Sequence, residues 1–309
     1  MWSFSTTRVF KKCQRQWYFK NHVASAKAHD PFRREAYVLS KLQSLAAWRG
    51  NIVDQVISTD IVPTLNQKQQ LNRQTILQYA RKLFREQLEF AEQKRIRETG
   101  MPQKKGGTAF AALYPVEYGP ELTKEDLSQA WDDIETALNN FLQMDEFIKT
   151  LRRATYLIAQ RALSFSFNSI SVRTVPDLIV FFSNESPLIV DWKVHTYAMQ
   201  NYRLQLASYA VGLTQCVPHK DFPPLVSHYS PTEIRLLEAQ LLTKIPRHYA
   251  LTNDDVEGVF SFIARTAREM DLAIHSEDDA VLTPFDFPPA LNPEECQRCP
   301  FRSLCWEQN

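Results

Sequence analysis

The chain has 309 residues, 44% of them hydrophobic and 23% charged, and its formal net charge is +1. That is the composition of an ordinary globular protein, long enough for one large domain or two modest ones with a real core. The near-zero sum neither favours nor excludes nucleic acid, because a local basic face is invisible in a total. No apolar run approaches the ~18 residues that span a bilayer.

Met1 to Thr6 shows no basic-then-apolar leader, so the expected location is the cytoplasm. A helix pattern follows over 5–20, with Ser5 as N-cap. Val9, Phe10, Cys13, Trp17 and Tyr18 fall on one side of it, and Arg8, Lys11, Lys12 and Arg15 on others. A second helix pattern covers 34–59 through Leu39, Leu42, Leu45, Ala46, Ile52 and Val53. Gly50 in its middle costs roughly 1 kcal/mol against Ala, which predicts close approach of another backbone. Residues 74–98 form a long charged helix pattern, followed by turn chemistry at Gly100, Pro102, Gly106 and Gly107. Residues 123–162 hold two more helices, the first opened by Thr123, with Glu125 and Asp126 where they suit the helix dipole.

At 163 the period changes. Phe165, Phe167, Ile170 and Val172 alternate with polar residues, as in a half-buried strand. Asp177 to Phe182, a turn at 183–187 and Leu188 to Trp192 read as a β-hairpin of apolar strands. Helical spacing returns over 198–215. Further strands are expected at 225–229 and 234–242, and an amphipathic helix at 253–275. A segment through Pro284, Pro288, Pro289 and Pro293 leads to the last cysteines. The predicted class is α/β, a small mixed sheet flanked by helices. Its parts are N-terminal helices at 1–59, an inserted helical subdomain at 60–160, a core at 161–283 and a cysteine segment at 284–309.

Cys13 stands near the start, and Cys296, Cys299 and Cys305 form Cys-x2-Cys-x5-Cys near the end. In a reducing compartment such thiols are metal ligands or buried thiols rather than disulfides. Four thiolates suit zinc and iron–sulfur alike. Cys216 has no motif around it and reads as a buried thiol at a helix end.

The hairpin carries the chemistry. Pro176-Asp177 heads one strand, and Asp191-Trp192-Lys193 ends the next. Two carboxylates buried together cost several kcal/mol unless a cation neutralises them, and magnesium or manganese suits hard oxygen ligands. Lys193 lies two residues after Asp191 and so shares its strand face. Carboxylates, metal and lysine together serve phosphodiester hydrolysis. The plain alternative is a salt-bridged pair on a solvated face. His195, two residues further on, reads as a neighbour of the site.

Pro176-Asp177, Asp191-Trp192-Lys193 and Gln205-x3-Tyr209 resemble, in order, the motifs of the RecB-like branch of the PD-(D/E)XK nucleases. The opening segment from Ser5 to Phe19 around Cys13, and the closing Cys296, Cys299 and Cys305, resemble the iron–sulfur members of that branch, such as AddB-type domains and CRISPR-associated exonucleases. The resemblance implies a restriction-endonuclease-like fold and a nuclease acting on single-stranded DNA or DNA ends in repair, recombination or defence. It implies that Asp177 and Asp191 bind Mg2+ or Mn2+, with the Trp192 carbonyl as a further ligand. Lys193 then orients the attacking water, and Gln205 and Tyr209 line the cleft. Cys13, Cys296, Cys299 and Cys305 would carry a 4Fe-4S cluster. The branch usually has Gly-x3-His before the sheet; here Gly50 is followed, at the histidine position four residues on, by Asp54, carried over as a metal ligand. The other reading is a weak nuclease-like DNA-binding subunit. No Gly-x4-Gly-Lys-Ser/Thr motif is present, so a helicase or defence-system motor would be a separate partner.

Overall fold

The computed structural model describes residues 1–98, 101–119, 122–195, 202–223, 229–274 and 282–306. The helices are α1 (Phe4–Lys12), α2 (Gln14–Tyr18), α3 (Pro31–Ser40), α4 (Leu45–Val56), α5 (Val62–Asn66), α6 (Arg73–Glu92), α7 (Gln103–Gly106), α8 (Tyr114–Tyr118), α9 (Lys124–Leu142), α10 (Asp145–Arg153), α11 (Tyr202–Gln215), α12 (Asn253–Ile274), α13 (Pro293–Gln297) and α14 (Arg302–Trp306). The strands are β1 (Tyr156–Ala159), β2 (Leu163–Phe167), β3 (Ile170–Thr174), β4 (Leu178–Phe181), β5 (Leu188–Lys193), β6 (Arg235–Gln240) and β7 (Ile245–Tyr249). The chain divides into two compact units.

The first unit comprises Met1–Phe4, Arg49–Arg81 and Ser128–Arg265. It holds a five-stranded mixed sheet in the order β1-β4-β5-β6-β7 and a separate β2-β3 hairpin. The apolar runs of β4 and β5 are buried because the sheet is covered, and each fully buried aliphatic side chain contributes about 1.5–3 kcal/mol. β4 and β5 pair antiparallel, with Leu178 opposite Val190. β5 and β6 pair parallel, with Asp191 beside Glu238 and Lys193 beside Gln240. A parallel pair needs a crossover, and α11 lies within it, packed on β2, β3 and β5. Gly212 of α11 lets the helix approach β3: a Cβ there would lie 2.3 Å from Thr174 Oγ1. At the β1 edge, the Asn66 amide donates to the Leu157 carbonyl (2.8 Å) and accepts from the Leu157 N–H (2.9 Å). At the other edge, β7 carries Pro246 and is largely exposed.

The second unit comprises Ser5–Trp48, Lys82–Leu127 and Thr266–Asn309. One of its apolar clusters gathers Phe19, Val23, Ala36, Leu39 and Phe301. A second gathers Tyr37, Val38, Phe90, Ile96, Met101 and Ala112. Asp30 caps α3, its carboxylate accepting from the Arg33 N–H at 2.8 Å with Pro31 in the first turn.

Several local expectations change. The helix over 5–20 breaks at Cys13, which is extended (φ −160°) and caps α2 through its sulfur. A π turn at Phe19–Val23 follows. The pattern over 34–59 splits into α3 and α4 and ends in a π turn at Ile57–Ile61. Among the described residues, a Cβ at Gly50 would meet nothing within 4 Å, so no close backbone explains that glycine. The end of the 123–162 pattern is strand β1, whose Leu157 and Ile158 are both buried. The alternating stretch from 163 is a hairpin, β2 paired with β3, turning at Asn168 and Ser169 with φ of +47° and +65°, as a two-residue turn requires. Strand β7 escaped prediction because it is exposed and lacks an apolar face. The strand expected at 225–229 and the start of the helix at 198 fall largely outside the described residues. No described helix is long and apolar enough to cross a membrane.

Candidate active site

Asp177 stands just before β4, and Asp191 and Lys193 lie near the end of β5. The Trp192 N–H donates to Asp177 Oδ2 at 3.0 Å, fixing that carboxylate against β5. Asp54, in the last turns of α4, reaches the same place. Its Oδ1 accepts from Gln160 Nε2 at 2.6 Å and from the Trp192 indole N–H at 3.2 Å. Gln160 Nε2 also donates to Asp177 Oδ1 at 3.1 Å. Asp191 is buried and ion-paired with Lys193. Gln205 Nε2 lies 3.5 Å from Asp191 Oδ1 and donates to the Tyr209 hydroxyl at 2.6 Å, one helical turn along α11.

The carboxylates repel one another and are poorly solvated. Burial pushes the Asp177 carboxyl well above the ordinary carboxylate range, and the charges of Asp191 and Asp54 push it further. Burial also raises Asp191; Lys193 opposes the shift and Glu238 adds to it. Burial raises Asp54 to about 6, against the hydrogen bonds from Gln160 and Trp192. With Lys193 as the lysine beside them, these hard oxygen donors are of the type a divalent cation would take. Among the described residues, no three or more His, Cys, Asp or Glu side chains are drawn together as a metal's ligands would be. The carboxylates are neighbours held by N–H donors.

Three residues at this site went unremarked in the sequence. The Lys193 ammonium sits 5.1 Å from the centre of the Tyr202 ring, whose hydroxyl lies 3.0 Å from His195 Nε2. Glu238 is fully buried beside Asp191, accepting from the Tyr249 hydroxyl at 2.8 Å and from Arg247 at 3.3 Å. A lone acid in the apolar run Leu236 to Ala239 was its available signal. Gln160 carried none, since it lies where the helix pattern was extended too far.

In the second unit, Cys13, Cys296, Cys299 and Cys305 line one small cavity with Phe19 and Phe301. All four are free thiols. Burial and the neighbouring thiols raise Cys13, and they push Cys299 up to about 12. Arg15 donates to Cys305 Sγ at 3.5 Å and to the Phe287 carbonyl at 3.1 Å. Four thiols in one cavity are the right donor type for zinc or an iron–sulfur cluster. Lys11 and Lys12 pair with Glu269 and Glu295. Cys216 is buried at the end of α11, its thiol 3.5 Å from the Leu213 carbonyl.

A family model described as the PD-(D/E)XK nuclease superfamily matches residues 1–306. No curated protein matches the sequence. Among solved structures, "Crystal structure of SSO0001" is similar at 13% identity and a TM-score of 0.31, covering 63% of this chain and 80% of that chain, a likeness too slight to argue from.

Proposed function

The chain belongs to the PD-(D/E)XK nuclease superfamily, in general metal-dependent phosphodiester hydrolases, and on that premise we propose that it cleaves DNA on single strands or at ends. The observation that carries this reading is the meeting of Asp54, Asp177 and the Asp191–Lys193 pair around one hairpin. Asp54, Asp177 and Asp191, with the Trp192 carbonyl, hold Mg2+ or Mn2+. The ion supplies positive charge to the phosphate and acidity to the attacking water. Lys193, kept in place by Asp191 and the face of Tyr202, orients that water and offsets the charge that develops at phosphorus. Gln205 steadies Asp191 and is itself held by Tyr209. The four end cysteines hold a 4Fe-4S cluster with a structural role, as in the iron–sulfur members of the RecB-like branch. A separate helicase or defence-system chain is the partner that delivers the strand.

Cleavage of single-stranded, double-stranded and end-blocked DNA with Mg2+ or Mn2+ tests this. Asp191→Ala and Lys193→Ala should each lower the rate by roughly 100-fold or more. Undiminished cleavage by both would sink the site assignment. If the wild type binds DNA but cuts none of these forms, the chain is the DNA-holding subunit of a larger helicase–nuclease or defence assembly.

A further inference from the structure

Gln160 follows β1 with φ of +52°, a left-handed conformation that costs a residue with a side chain roughly 1–2 kcal/mol. Its N–H donates to the Asp177 carbonyl at 3.0 Å, which pins the turn opposite the head of β4. From that point one amide nitrogen serves two carboxylates, Asp54 Oδ1 at 2.6 Å and Asp177 Oδ1 at 3.1 Å. An amide nitrogen carries two N–H donors, so it satisfies both acids at once. The two acids come from different elements, α4 and the head of β4, and like charge drives them apart. The Trp192 indole also donates to Asp54 Oδ1, at 3.2 Å. These two donors meet Asp54 on the same oxygen, Oδ1, which sets the plane of the carboxylate.

We propose that Gln160 is a positioning residue that tethers Asp54 to Asp177, so that the two carboxylates meet a divalent cation as a pair. The tether acts beside the Trp192 indole in holding Asp54 to the site. The inference rests on the reading of Asp54 and Asp177 as metal ligands. Gln160 is exposed, so water competes for its bonds. A loss of about tenfold in cation affinity, about 1.4 kcal/mol, is the scale expected for one charge-assisted hydrogen bond in that setting.

The test is Mn2+ binding by calorimetry and electron paramagnetic resonance on the full chain, with unfolding midpoints measured beside it. Gln160→Asn keeps an amide and tolerates the left-handed backbone, but it is one methylene too short to reach both acids. Gln160→Met keeps the length and removes the donors. Both should weaken Mn2+ binding about tenfold, with Gln160→Asn unchanged in midpoint. In an Asp54→Asn background, Gln160→Met should cost nothing further. Wild-type affinity in Gln160→Asn would make the residue a turn former only and overturn the proposal, as would losses that simply add in the double variant. A wild type that binds no Mn2+ overturns the metal-site reading itself, a different result from either of these.

Discussion

Asp54 holds its proton up to about 6 instead of 3.8 because α4 buries it beside two other acids. Between those values the folded chain binds more protons than the unfolded one. Its stability therefore falls as pH rises through that window. Urea midpoints of the metal-free protein, measured from about pH 4 to about pH 7, should decline with pH, and Asp54→Asn should flatten the decline. Protons and cation compete for the same oxygens, so Mn2+ affinity should climb as pH passes through about 6. Asp177 and Asp191 were legible as candidates because acids at the ends of apolar strands stand out in a sequence, and Lys193 because it follows Asp191 on the same strand face; Gln205 was a candidate only through its place in a family motif. Gln160 and Tyr202 were not, since a neutral amide and a tyrosine acquire a role only when separate elements bring them to an acid or an ammonium.

The elements that place the site depend on close approach. α11 carries Gln205 and Tyr209 and rests on the β2-β3 hairpin through Gly212, where a Cβ would lie 2.3 Å from Thr174 Oγ1. Thr174 is buried and β-branched, so its hydroxyl has little room to turn away. Gly212→Ala should lower stability by about 1–3 kcal/mol, read from denaturant midpoints, and should weaken cleavage by displacing Gln205 from Asp191. The β4-β5 hairpin was plain in the sequence because two apolar runs flanked a polar turn. β1 was hidden because its apolar pair Leu157 and Ile158 continued the helical spacing of α10, and β7 because an exposed edge strand has no buried face to reveal its period. The break at Cys13 was hidden for a related reason: a thiol capping a helix reads, in sequence, as one more apolar residue on the stripe.

The whole molecule draws each of its two units from separated stretches of chain, an arrangement no local pattern discloses. The termini were legible only as cysteines; that all four line one cavity required the fold. Protein purified without air should be brown and carry iron, and Cys299→Ser should lose that iron along with folded yield. A colourless protein containing one zinc would reassign the cavity. The sheet of the first unit has a consequence for assembly. A bare edge strand offers its N–H and C=O groups to any passing chain. Here the Asn66 side chain already takes both backbone groups of Leu157, and Pro246 withholds a donor on the far strand. Concentrated solutions should accordingly stay free of intermolecular sheet. Asn66→Ala, which exposes Leu157 to a second copy, should aggregate with rising concentration in light scattering, with growing β signal in the infrared.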